Sequence, residues 1–167
     1  AVKVMQRLSK EGACFTIDVL GEDITSMDEA SFFLEEYKRV ITAISENHFD
    51  ANLSIKPTAF GLLLDREKGM DNIEALVAMA NDHDMFVRLD MEDHRVTDDT
   101  IKVMLDMHEK GLTNVGVVLQ ARLFRTIADI KDIATKLGPN ADYRICKGIY
   151  LEPSEISHTD RQPIIEA

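Results

Sequence analysis

Charged side chains interrupt segments of the sequence that otherwise have the composition of buried β-strands. Residues 87–93 read VRLDMED, so that apolar residues alternate with Arg88, Asp90 and Glu92. Successive side chains of a strand point to opposite faces, so this segment would present an arginine and two carboxylates on one face. Buried charges must be paired, and we expect Arg88 and Glu92 to form the charge network that supports Asp90.

The carboxylates of this segment, together with His94, suggest a metal site at first, because carboxylates and imidazole bind several divalent ions. Asp90 and Asp93 would point to opposite faces of a strand, however, so the set cannot easily surround one ion. We therefore predict no metal site, and we place Asp93 and His94 in the loop that follows the strand.

Polar residues also end other strand-like segments. Lys56 is either a surface lysine or a cation aimed into a binding site, as anion ligand, cofactor neighbour or Schiff-base amine. Gln120 ends VVLQ and would be costly to bury without a hydrogen-bond partner or ligand. YRICKG carries Arg144 inside the segment and Lys147-Gly148 at its end, where a cation beside a glycine can approach a phosphate closely.

Composition limits the class of protein. The chain has 167 residues, enough for one domain over 1–167, and its net charge of -11 argues against nucleic-acid or anionic-membrane binding through the bulk surface. No segment has the length of a membrane span or the pattern of a signal peptide. The two cysteines are far apart, which favours a reducing, cytoplasmic compartment.

The elements that must position these side chains alternate along the chain. Strand-like runs lie at 14–20, 52–57, 85–91, 114–121 and 142–148. Helical spacing covers 25–47, where Thr25 or Ser26 would cap the helix, and then 70–81, 98–109 and 125–137. Strands that alternate with helices pair in parallel through right-handed crossovers.

Two architectures fit this pattern, an open doubly wound sheet and a (β/α)8 barrel of the TIM type. The first strand is not followed by GxGxxG or GxxxxGK[ST], and one parity of each strand is polar toward its C-terminal end, as a barrel interior requires when its upper layer forms an active site. The sequence therefore favours the barrel, with about five of the eight β/α units present. The polar residues of this parity and of the strand ends would converge on one barrel mouth: Lys56, Asp90, Gln120, Arg144 and Lys147.

Four ordered motifs resemble a known family. SIKPTAFG, VRLDMED, VVLQARLFRT and RICKGIYLEP, with TIDVLGED near the start, are similar to the flavin-dependent proline dehydrogenases, especially the short monofunctional bacterial form. The resemblance covers nearly the whole chain and implies the central portion of a (β/α)8 barrel that holds FAD. It implies oxidation of L-proline to 1-pyrroline-5-carboxylate by hydride transfer to flavin N5, with electrons passed to a membrane quinone at the inner face of the membrane.

The resemblance also implies roles for individual residues. Lys56 would hold the proline carboxylate, and Asp90 would order the charged groups beside it. Gln120 would hydrogen-bond the isoalloxazine, and Arg144 would stabilise the electron density near N5. Three residues would line the ribityl-phosphate side of the cofactor: Lys147, Gly148 and Ile149. The tyrosine and paired arginines of the family's last helix, which grip the proline carboxylate, are not among these residues.

Two alternatives stay open. One is a Schiff-base aldolase on a TIM barrel, with Lys56 or Lys147 as the amine. The other is a non-catalytic barrel fragment that binds FAD poorly and associates through its open strand edges.

Overall fold

The fold of the chain is built around one parallel sheet. The computed structural model describes residues 1–166, and within them five strands pair in parallel in the order β1-β2-β3-β4-β5. The strands are β1 Phe15–Ile17, β2 Ala51–Ile55, β3 Val87–Leu89, β4 Val115–Gln120 and β5 Tyr143–Cys146.

Helices connect and flank these strands. They are α1 Val2–Ser9, α2 Met27–Glu46, α3 Arg66–Asp82, α4 Thr97–Glu109, α5 Thr126–Leu137 and α6 Arg161–Glu166, with 3₁₀ helices at Pro57–Phe60 and Gly138–Asn140. No helix within residues 1–166 is long and apolar enough to cross a membrane.

The strand order distinguishes the two architectures that the sequence allowed. A doubly wound sheet reverses direction at a switch point, whereas each strand here pairs with the next one along the chain. Right-handed crossovers that always advance in the same direction place all connecting helices on one face, as in a TIM barrel. The predicted barrel type is therefore confirmed, and five of its strands lie in this chain.

The two faces of the sheet differ as their alternation predicted. Leu53, Val87 and Val115 are in register on neighbouring strands, are fully buried and face the helices. Burying a side chain of this size contributes about 1.5–3 kcal/mol, so this layer holds the strands in place. The other parity carries polar residues, and Ser54 pairs there with Arg88.

Helix starts follow local capping chemistry. Ser26 caps α2 by accepting a hydrogen bond from the Glu29 amide, one of the two predicted caps. Asp65 caps α3 through the Lys68 amide, so this helix begins four residues before the predicted start at 70. Helices α1 and α6 were not predicted from the apolar spacing.

Candidate active site

A cavity of about 390 Å³ opens at the carboxyl ends of β2 to β5, and we call it the mouth cavity. Its volume lies within the range of small-molecule pockets, roughly 300–1,000 Å³. All of the predicted site residues line it: Lys56, Asp90, Gln120, Arg144, Lys147, Gly148 and Ile149. The strand parity read from the sequence thus brings together residues that lie as much as 93 positions apart.

Asp90 is the centre of the charged part of the mouth cavity. It lies directly after β3, where its Oδ1 accepts hydrogen bonds from Ser54 Oγ at 2.7 Å and from Arg144 Nη2 at 2.8 Å. Its Oδ2 lies 3.6 Å from Lys56 Nζ. One carboxylate therefore holds two cations that come from β2 and β5.

Lys56 is shared between two carboxylates, because its Nζ also donates to Asp18 Oδ2 at 3.3 Å. Burial alone would lower the pKa of the Lys56 ammonium, but Asp18 and Asp90 together outweigh burial and raise that pKa. Lys56 is consequently a cation at neutral pH. Its side chain is only 21% exposed, so the charge is held inside the cavity wall.

Asp18 belongs to this cluster although the sequence did not single it out as a site residue. The buried Tyr37 hydroxyl lies 3.1 Å from Asp18 Oδ1, accepts the Val19 amide hydrogen at 3.0 Å and lies 2.8 Å from the Ser54 carbonyl. Tyr37 thereby joins β1 to β2 beneath the charges. The polar parity of β1 was the signal that could have identified Asp18.

The predicted support of Asp90 by Arg88 and Glu92 is wrong. Arg88 Nη2 pairs with Asp142 at 2.5 Å, and its guanidinium lies 4.8 Å above the Phe86 ring centroid. Arg88 precedes Asp90 by one side-chain repeat and therefore lies a layer deeper in the sheet.

Glu92 lies past the end of β3, where strand alternation no longer applies. Its carboxylate accepts hydrogen bonds from Thr58, and it makes no contact with Asp90. The charges that accompany Asp90 are instead Lys56 and Arg144.

Gln120 and Gly148 form the wall of the cavity beside these charges. Gln120 is buried, and its Nε2 donates to the Glu92 carbonyl at 2.8 Å, while its Oε1 is buried with no hydrogen-bond partner among residues 1–166. Gly148 has φ +90°, and a Cβ built there would lie 2.4 Å from that oxygen. The glycine thus leaves the space in which the Gln120 oxygen lies.

The segment after β5 is held against β4 by contacts that the sequence did not indicate. The Arg122 amide donates to the Lys147 carbonyl at 3.1 Å, and its guanidinium contacts the carbonyl oxygens of Tyr150 and His158. The Ile149 side chain is 86% exposed at the cavity rim. Backbone contacts, rather than apolar packing, therefore place Lys147 to Ile149.

Asp93 and His94 lie in the loop after β3, as predicted. Asp93 pairs with Arg95, and His94 Nδ1 lies 2.6 Å from Glu152 Oε2. The part of the chain that the structure describes, residues 1–166, contains no group of three or more metal-ligating side chains.

A larger groove of about 580 Å³ lies between α4 and α5, outside the barrel mouth. Lys102 pairs there with Asp106, and Lys136 pairs with Asp132, in both cases within one helix. Because these charges neutralise each other locally, we assign the site to the smaller mouth cavity.

A parallel β/α sheet in barrel order, with paired charges at the carboxyl ends of its strands, places this chain in the class of TIM-barrel proteins. Residues 1–164 match the family model described as proline dehydrogenase. The chain belongs to the proline dehydrogenase family, as the motifs of its sequence suggested.

Individual relatives agree with this membership. Proline dehydrogenase 1 of Bacillus subtilis subsp. natto is 36% identical over 162 residues, which are 97% of this chain and 52% of the relative. Proline dehydrogenase of Deinococcus radiodurans is 31% identical over 168 residues, covering 98% of this chain and 53% of the relative. The chain thus spans about half the length of the curated relatives that it matches.

A solved structure shows the same fold. Proline utilization A (PutA) from Bdellovibrio bacteriovorus, inactivated by N-propargylglycine, superposes with a TM-score of 0.78 at 23% sequence identity. The superposition covers 89% of this chain and 19% of the other.

Proposed function

We propose that this chain supplies the charged wall of the active site of an FAD-dependent proline dehydrogenase, which oxidises L-proline to 1-pyrroline-5-carboxylate. The observation that carries the proposal is the cluster of Lys56, Asp90 and Arg144 in the mouth cavity. Its cations suit an anionic group of the substrate and the electron density that accumulates on a reduced cofactor. Membership of the proline dehydrogenase family supports this reaction.

In this proposal, Lys56 binds the proline carboxylate. The ammonium is protonated and partly buried, so its attraction for a carboxylate is weakened less by water than at an open surface. Asp90 holds Lys56 and Arg144 in place and limits the positive charge of the site. Arg144 is 48% exposed and points one end of its guanidinium at Asp90, which leaves the rest of the group on the cavity side.

The residues around the cavity fit FAD. The unpartnered, buried Oε1 of Gln120 is an acceptor for a ring N–H, and the missing side chain at Gly148 lets a flat ring system approach. Gln120 and Arg144 would hold the isoalloxazine, and Lys147, Gly148 and Ile149 would line the ribityl-phosphate side. When bound, FAD supplies the acceptor for the hydride and the two electrons taken from proline.

The Schiff-base alternative lacks support. An amine that attacks a carbonyl must lose its proton, and such lysines have a lowered pKa. The pKa of Lys56 is raised by Asp18 and Asp90, which is the opposite direction. Family membership gives no indication of aldolase chemistry for Lys56 or Lys147.

We further propose that residues 1–167 form part of one barrel domain whose remaining strands complete the site. The five strands leave β1 and β5 without a second neighbour among the described residues, and Ile145 of β5 and Ile127 of α5 are exposed. Taken alone, the chain would associate through these edges and retain FAD weakly. The family resemblance adds a membrane quinone as electron acceptor and a cytoplasmic enzyme that meets the inner membrane peripherally.

The test uses the complete enzyme, meaning the barrel with all its strands, loaded with FAD. L-proline should bleach the flavin absorption, and Arg144→Met should slow that reduction by about 100-fold without comparable loss of folding stability. Arg66→Met is the matched control, because Arg66 is equally exposed and pairs with Asp99 away from the cavity. If no secondary amine bleaches the flavin, or if both variants lose the same activity, the proposal is wrong.

A further inference from the structure

A buried carboxylate lies behind the mouth cavity without lining it. Glu92 is 3% exposed, its Oε2 accepts the Thr58 amide hydrogen at 2.9 Å, and its Oε1 lies 2.5 Å from Thr58 Oγ1. Thr58 is itself 2% exposed. Both carboxylate oxygens of this buried side chain are therefore hydrogen-bonded to the same threonine, which fixes Glu92 and Thr58 relative to each other.

The directions of these hydrogen bonds follow from their partners. The Asp23 amide can only donate, and it donates to Thr58 Oγ1 at 2.9 Å. The hydroxyl proton of Thr58 is therefore free to be donated to Glu92 Oε1. This chain of donors runs from Asp23 through Thr58 to Glu92, and its last two hydrogen bonds are strongest when Glu92 is an ionised acceptor.

Both ends of Glu92 lead to residues of the proposed site. Thr58 follows Lys56 by two residues and lies in the buried 3₁₀ helix Pro57–Phe60. Because the two residues are so close in the chain, the position of Thr58 determines the position of the Lys56 backbone. On the other side, the Glu92 carbonyl accepts the Gln120 Nε2 hydrogen at 2.8 Å. Glu92 thus connects the β2 end, the β3 end and β4 in one hydrogen-bonded unit.

We propose that Glu92, as a carboxylate bound to Thr58, is a positioning residue that fixes Lys56 and Gln120 relative to each other at the mouth cavity. The inference rests on the proposed function, in which Lys56 binds substrate and Gln120 contacts the cofactor. Glu92 touches neither ligand and acts only through these two residues.

The same hydrogen bonds make the positions of Lys56 and Gln120 sensitive to pH. Burial raises the pKa of Glu92 to about 7, the Thr58 hydrogen bonds oppose this shift, and Glu22 and Asp23 of the β1–α2 loop add to it. Tyr150, from the segment after β5, is a further titratable group near this carboxylate. When Glu92 gains a proton, the ionised acceptor of both Thr58 hydrogen bonds becomes a neutral carboxyl group, and these bonds lose their charge-assisted strength. Lys56 and Gln120 should therefore be held less firmly at acidic pH.

The test compares Glu92→Gln, Thr58→Val and Thr58→Ser in the complete FAD-loaded enzyme. The wild-type kcat/KM for proline, followed from about pH 5.5 to about pH 9, should fall on the acidic side with a midpoint near neutrality. Glu92→Gln and Thr58→Val should lower the plateau by about tenfold, the value of one charge-assisted hydrogen bond, and Glu92→Gln should abolish the acidic fall. Thr58→Ser keeps the hydroxyl and should behave as wild type.

A second readout does not depend on turnover. This readout is the NMR titration of Glu92 in the FAD-free enzyme with ¹³C-labelled glutamate carboxyls. The midpoint should lie near neutrality in the wild type and in Thr58→Ser, and at higher pH in Thr58→Val. A wild-type acidic fall in Glu92→Gln, or an unshifted Glu92 titration in Thr58→Val, would overturn the positioning role. Failure of the wild-type enzyme to oxidise proline would instead refute the proposed function.

Discussion

Replacement of Gly148 by alanine tests the wall of the mouth cavity, and the chain provides a matched control in Gly111. The two glycines have φ +90° and +84°, in the left-handed region that costs an L-residue about 1–2 kcal/mol. An added Cβ at Gly111 meets nothing within 4 Å, whereas at Gly148 it lies 2.4 Å from Gln120 Oε1. Both substitutions should carry the same backbone strain, and only Gly148→Ala should displace Gln120.

The additional cost of Gly148→Ala follows from what Gln120 must give up. A relaxed carbon–oxygen contact is about 3.3 Å, so the amide must move by about 1 Å, which breaks the Gln120–Glu92 hydrogen bond. Losing that bond in a buried site costs about 1–2 kcal/mol. We therefore expect Gly111→Ala to lower the free energy of unfolding by about 1–2 kcal/mol and Gly148→Ala by about 2–4 kcal/mol.

Urea unfolding of the FAD-free complete enzyme measures these costs, and fluorescence titration with FAD measures the effect on the cofactor. Gly148→Ala should weaken FAD binding by about tenfold or more, because the displaced Gln120 no longer presents its acceptor, whereas Gly111→Ala should not. Equal stability losses and equal FAD affinities in the two variants would refute the assigned role of the Gln120–Gly148 wall.

Two further substitutions probe the charges. Lys56→Met should raise the KM for proline and lower kcat/KM by about 10- to 100-fold with little change in FAD affinity, in steady-state kinetics and FAD titration; unchanged proline kinetics would exclude Lys56 from substrate binding. The pKa of Glu92 is about 7 in the folded protein, against an ordinary value of 4.5. As the pH rises, Glu92 therefore loses its proton in the unfolded chain before it does so in the folded one, and the free energy of unfolding should fall between about pH 4.5 and about pH 7. The whole effect is about 3 kcal/mol, since one pKa unit corresponds to about 1.4 kcal/mol, and urea unfolding across this range should show it in wild type and not in Glu92→Gln.

The periodicity of the strands was sufficient to predict which polar side chains meet in the mouth cavity. Lys56, Asp90 and Gln120 lie at or just past the end of a strand, and Arg144 lies within β5. All four share the parity that faces the cavity, so a parallel barrel brings them together whatever the details of its loops. The polar parity of the strands, together with the absence of a glycine-rich phosphate loop, favoured the barrel over a doubly wound sheet, and the strand order confirms that choice.

The partners of these residues could not be predicted in the same way. The Arg88–Asp142 pair and the Glu92–Thr58 pair join positions 54 and 34 residues apart, and they depend on the depth of each side chain in the sheet and on where β3 ends. Strand ends are set by hydrogen bonds between neighbouring strands, so a single sequence defines them poorly. The placement of Lys147 to Ile149 depends on hydrogen bonds from Arg122 to backbone carbonyl oxygens. Backbone acceptors are present at every residue, so the residue types in the sequence do not indicate these contacts.

The charged cluster is assembled from several strands, and this limits the insertions and deletions that the gene can accept in this region. Asp18, Lys56, Asp90 and Arg144 follow or belong to four separate strands, and each reaches the cavity only because its strand is in the observed register. A deletion of one codon within β2 would shift the end of the strand by one residue. Lys56 would then point toward the apolar layer that faces the helices, and Ile55 would take a position on the side of the carboxylates. Insertions and deletions should therefore be tolerated in the turns at the amino ends of the strands and eliminated within them.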